Sequence, residues 1–108
     1  MPLKSVPQFA VIDAAAAGDN TLVAAVTGKK IRVLSAVLVA SGGANTIRFE
    51  SGAAGTALSG QMDIAADGQL VLPLNGFGWL ETAAGALLNL ELSAATLIAG
   101  ALVYEEIE

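Results

Sequence analysis

The chain has 108 residues, 55% hydrophobic and 14% charged, with a net charge of −5 and neither histidine nor cysteine. The length suits one domain. The missing residue types remove imidazole acid–base chemistry, Ser-His and Cys-His nucleophiles, zinc–thiolate and iron–sulfur sites and disulfides, and five basic residues in an acidic chain argue against nucleic-acid binding.

The opening "MPLKSVPQFAVID" interrupts every apolar run with Lys4, Pro7, Gln8 or Asp13, so it lacks a signal-peptide core, and residence in a cytoplasm is the expectation. Pro2 and Pro7 lack amide donors and bias Met1 and Val6 towards extended backbone, which predicts an arm over residues 1–8 rather than a helix or central strand. Lys4 with Leu3, Val6 and Phe9 suits such an arm to another protein's surface or sheet edge.

Alternation then predicts a strand over Gln8–Asp13, with Phe9 and Val11 on one face and Gln8, Ala10 and Ile12 on the other. "DAAAAG" is the one helix candidate, stopped by Gly18 after a turn. A strand over Thr21–Val26 leads into "TGKK", where Gly28 supplies the positive φ of a hairpin. Lys29, Lys30 and Arg32, the single basic cluster, read as a solvated hairpin end. Lys30–Ser41 is the longest strand and is apolar on both faces, Val33, Val37 and Val39 against Leu34, Ala36 and Leu38. Gly42 and Gly43 turn the chain into a strand with Ile47 and Phe49 inward and Thr46, Arg48 and Glu50 outward, followed by a small, flexible loop. Asp67-Gly68 carries a hairpin signal, Pro73 ends a strand, and Asn75-Gly76 turns into a short strand with Trp79 and Leu80.

The most hydrophobic stretch, "GALLNLELSAATLIAGALVYEEI", poses a choice between a membrane helix and strands. As a helix it would point Asn89 and Glu91 out of opposite faces, with a carboxylate deep in the span, at a cost of about 2.5 to 3.5 kcal/mol. As a strand it sorts Leu88, Leu90 and Leu92 onto one face and Asn89, Glu91 and Ser93 onto the other. What remains, Leu97–Val103, is shorter than the roughly 20 apolar residues of a span. Two strands joined through "SAAT" are therefore expected, and no membrane segment.

Eight or nine short strands without crossover helices predict an all-β, antiparallel, jelly-roll-like β-sandwich over residues 9–108. A thin sandwich rich in Ala and Gly has little bulk to offset the entropy of ordering, so association of copies is expected, with Val37, Val39 and Trp79 at the subunit interface. Asp63 and Asp67 could be imagined on calcium, but they lack the dense oxygen pattern of a calcium loop and read as turn residues. The glycine runs lack the ending of a phosphate loop. No cofactor, metal site or catalytic residue is expected.

The stretches "TLVAAVTGKKIRVLSAVLVASGGANTIRFESGAAGTALSG" and "GWLETAAGALLNLELSAATLIAGALVYEE" resemble a family of small structural proteins of tailed bacteriophages. The motifs that carry the resemblance are Gly28 to Val33, Phe49 to Gly52 and Gly78 to Ala83, and the match covers most of the chain after Asp13. The resemblance implies a non-enzymatic decoration or cement protein, often trimeric, on the capsid exterior, made in the host cytoplasm. Its partners would be itself, as a homotrimer, and the major capsid protein, which the arm residues Pro2, Leu3, Lys4, Val6 and Pro7 would contact. A carbohydrate- or host-surface-binding jelly roll of a phage particle is the alternative expectation, with Trp79 as a stacking platform.

Overall fold

A computed structural model describes residues 6–108. Ten strands follow in chain order: β1 (Gln8–Ala14), β2 (Gly18–Val23), β3 (Lys30–Ala40), β4 (Asn45–Ser51), β5 (Thr56–Ala57), β6 (Met62–Ile64), β7 (Gln69–Leu72), β8 (Leu80–Glu81), β9 (Leu88–Leu92) and β10 (Ile98–Ile107). No helix occurs among the described residues, so none is long and apolar enough to cross a membrane, and "DAAAAG" instead closes β1, bends and opens β2.

The strands form two antiparallel sheets, one ordered β1-β10-β3-β7 with β8 also on β3, the other ordered β2-β9-β4-β5 with β6 also on β4. Setting aside the two-residue β5 and β8, the order β1-β10-β3-β7 over β2-β9-β4-β6 is that of an eight-stranded jelly roll. Most connections therefore cross from one sheet to the other. This corrects the hairpins expected at Gly28 and Asp67-Gly68. Both turns exist, with Gly28 at φ 74° and Asp67 at φ 62°, yet each joins strands in opposite sheets. The "SAAT" segment likewise carries the chain from β9 across to β10. A turn signal reports local backbone, and which edge the next strand finds is decided by packing.

The face assignment along β3 also changes. Ser35 pairs with Val103 but Val33 pairs with Tyr104, so Leu34 is an extra residue in a β-bulge. The bulge resets the two-residue alternation and turns Val33 inward with Ile31, Ala36, Leu38 and Ala40, rather than outward with Val37 and Val39. The core is aliphatic: Ile12, Leu38, Leu102 and Ile98 from the first sheet meet Ile47, Leu88, Leu90 and Leu92 from the second, with Phe49 the aromatic buried among them.

Candidate functional site

The two outer faces of the sandwich differ in kind. On the second sheet, cross-strand rows place Asp19 beside Glu91 and Arg48, and Thr21 beside Asn89 and Glu50. The face is polar, as an outer face of an antiparallel sandwich ordinarily is. Glu50, expected outward, does lie on this face but is fully buried, as is Asn89. The loop after β4, expected to be flexible, forms a hairpin to β5 and folds back over the face, where the Ala54 amide donates to Asp19 Oδ1 at 3.1 Å, three strands away from β5.

Beneath that loop the polar groups satisfy one another. Asn89 Nδ2 donates to Asp19 Oδ1 at 2.8 Å and to Glu50 Oε1 at 2.9 Å, while Asn89 Oδ1 accepts the Asn20 amide at 2.9 Å. Arg48 donates to Glu50 Oε2 at 2.6 Å and to Glu91 Oε1 at 3.4 Å. The hydrogen bond with Glu50 raises the Arg48 pKa above its ordinary value against an opposing desolvation, and the Glu91 charge adds to the rise. Carboxylate oxygens of Asp19, Glu50 and Glu91 come within 4.8 Å of one another, a convergence that sequence spacing alone did not suggest. Glu50 and Glu91 there accept from Arg48, and Asp19 and Glu50 from Asn89, so the group reads as a structural network of donors and acceptors. Asp63 instead accepts from Thr46 Oγ1 at 2.7 Å, and Asp67 occupies its turn.

The first sheet's outer face is apolar. One row runs across four strands as Val11, Ala101, Val37 and Val71, and a second as Phe9, Val103 and Ser35. Phe9 is 84% exposed and Val11 78%, so the strand that opens the fold sends its bulky apolar side chains to solvent and keeps Ala10, Ile12 and Ala14 for the core. Charge is confined to the ends of the face. Arg32 lies 2.8 Å from Glu81 and 3.6 Å from Glu105, and Lys30 lies 3.8 Å from Glu81. The basic cluster of the sequence is thus matched by carboxylates, with Lys29 3.7 Å from Glu108.

Val37, 38% exposed, and Val39, two of the residues expected at a subunit interface, both lie on this face. Trp79, 43% exposed, belongs to the turn beside it, where its Nε1 donates to the Pro73 carbonyl at 2.7 Å and its amide donates to the Val33 carbonyl at 2.8 Å. Val11, Val71 and Phe77 are exposed apolar residues that the sequence reading did not single out, and they join Phe9, which it offered as an anchor of the arm; the alternation that placed Phe9 and Val11 together was the available signal. Between the rows lies a groove of about 270 Å³ lined by Phe9, Ser35, Val37, Leu72, Ala101 and Val103. Its floor is low because Ser35 and Ala101 are small where their neighbours are bulky. Of the arm, Val6 and Pro7 are exposed ahead of β1; Pro2, Leu3 and Lys4 lie outside the described residues.

No protein-family model, curated protein or solved structure matches the chain.

Proposed function

We propose that the protein is a non-enzymatic virion structural protein that binds the outside of a phage capsid and stabilises it as a homotrimer. The observation that carries the assembly part of this reading is the apolar outer face of the first sheet, on a chain of net charge −5 whose other face is polar. Such a surface on a soluble domain marks an interaction site. The capsid enters through the sequence resemblance to phage decoration proteins. On this reading the apolar face packs between copies, which leaves the arm residues Pro2, Leu3, Lys4, Val6 and Pro7 to engage the major capsid protein. Several arms on one oligomer would bind together, each engaged arm raising the effective concentration of the others.

Co-sedimentation with expanded phage capsids tests the reading. The intact protein should pellet with the capsids, and a variant lacking Met1 to Val6 should keep its oligomeric mass and melting temperature but stay in the supernatant. Retention on a glycan array without capsid binding would favour the carbohydrate module and end the capsid reading.

A further inference from the structure

We infer that Asn75, in the turn between β7 and β8, is a site of spontaneous self-modification, at which asparagine is converted to aspartate and isoaspartate while the protein stays folded. The inference is independent of the proposed function. Its one co-reactant is water. Gly76 N gives up its proton and bonds to Asn75 Cγ, the Cγ–Nδ2 bond breaks, and ammonia leaves with that proton, which closes a succinimide ring. Water then opens the ring at either carbonyl. Opening at Cγ gives aspartate, and opening at the former main-chain carbonyl leaves the chain running through Cγ as isoaspartate.

The reaction needs an unengaged nucleophile, an electron-poor side-chain carbon, an unheld leaving group and room, and the turn supplies all of them. A Cβ added at Gly76 would meet nothing within 4 Å, and the Gly76 amide has no acceptor among the described residues. Asn75 Oδ1 accepts the Phe77 amide at 3.0 Å, which draws electron density from Cγ. Asn75 Nδ2 donates to no described residue. The other three asparagines differ at each point. Asn20 Nδ2 donates to the carbonyls of Ala16, Gly18 and Leu90, Asn45 Nδ2 to those of Ala94 and Thr96, and Asn89 Nδ2 to Asp19 and Glu50. They are followed by Thr21, Thr46 and Leu90, whose side chains crowd the amide nitrogen. Asp67-Gly68 could close the same ring with loss of water, but an ionised carboxylate is a poor electrophile and the Gly68 amide is engaged with the Ala65 carbonyl at 2.8 Å.

The fold sets one obstacle. The Gly78 amide donates to the Asn75 carbonyl at 2.9 Å, and this bond must open for rotation about the Asn75 Cα–C bond to bring Gly76 N onto Cγ. Gly76 is exposed, so water takes over the released groups. One hydrogen bond exchanged for water slows the reaction by about tenfold at most. Either product adds one negative charge to the chain's −5, close in sequence to Leu74, 75% exposed, and Phe77, 92% exposed. Isoaspartate also lengthens the main chain by a methylene and puts a free carboxylate where the carbonyl accepted the Gly78 amide. An exposed apolar turn thereby becomes acidic with age.

Intact-mass spectrometry during incubation at neutral pH, with the folded protein and the urea-unfolded chain side by side, tests the inference. The folded protein should exchange NH₂ for OH at a single site, at a rate within about tenfold of that in urea. Hydroxylamine, which cleaves the succinimide, should cut the folded chain into residues 1–75 and 76–108. Gly76→Ala, whose methyl group meets open space in the fold, should keep the circular dichroism spectrum of the parent and slow the conversion several-fold. A folded rate below that limit would show that the turn protects Asn75, and the inference would fall. Conversion at Asn20, Asn45 or Asn89 ahead of Asn75, or an unchanged rate in Gly76→Ala, would overturn it as well.

Discussion

Replacing Asn89 by alanine should be among the most destabilising single changes in this protein, although the residue touches no apolar core side chain by its polar atoms. The substitution deletes three hydrogen bonds at once. Asp19 is exposed and regains water, so its loss counts for little. The Asn20 amide and Glu50 Oε1 are left without that partner, and Glu50 is fully buried under the β4–β5 loop. An orphaned buried group costs about 1 to 3 kcal/mol, and more when charged, so the sum is about 3 to 5 kcal/mol. For a domain of this size each kcal/mol moves the melting temperature by about 4 to 8 °C, which puts the expected drop at roughly 12 to 40 °C. Urea unfolding followed by circular dichroism, at one fixed protein concentration because association of copies links stability to mass action, measures it. The double variant Asn89→Leu with Glu50→Leu should lose less than the two single changes added together, because both partners then go at once. A loss below about 1 kcal/mol for Asn89→Ala would refute the reasoning, since water would then be replacing the side chain at little cost.

Gly100→Ala should prevent soluble expression or lower the melting temperature by more than 10 °C on the scale of about 4 to 8 °C per kcal/mol, because an added Cβ would lie 1.8 Å from the Val37 carbonyl oxygen in the neighbouring strand; a scanning calorimetry trace unchanged from wild type would contradict it. Val37→Asp puts a carboxylate in the wall of the groove but points away from the core, so light scattering should report a shift towards monomer while the far-ultraviolet spectrum stays that of the parent. Hydrolase, glycosidase and oxidoreductase screens should return background only; turnover abolished by Asp63→Asn or Glu91→Gln would assign the acidic groups a chemistry that this account denies them.

Strand formation was legible because alternation is a local property. Leu88, Leu90 and Leu92 declare a half-buried strand, and all three lie in the core. The jelly-roll class followed from many short strands with no helix between them. The partner of each strand was not legible, since Gly28 and Asp67 specify turns and those turns cross between sheets. The bulge at Leu34 was equally hidden: nothing in "KIRVLSAVLVAS" marks where the alternation slips, because both parities are apolar there. Burial of Glu50 and Asn89 depends on a loop folding over them, a tertiary event that parity along one strand cannot report. Val37 and Val39 do lie on the outer face, but Val33, assigned to the same face, is turned inward by the bulge. Phe9 was offered by the sequence as an anchor of the arm, whereas the exposure of Val11 and Phe77 was not foreseen, because alternation shows which residues share a face but not which face meets water.

The mass of the wild-type protein in solution tests the central claim most directly. If the outer face of the first sheet is covered by other copies, sedimentation velocity at micromolar concentration should give one species of three times 10.8 kDa, about 32 kDa. A single 10.8 kDa species over the whole concentration range would mean that Phe9, Val11, Val37 and Val71 stand in water without a second copy, and the assembly account would fall.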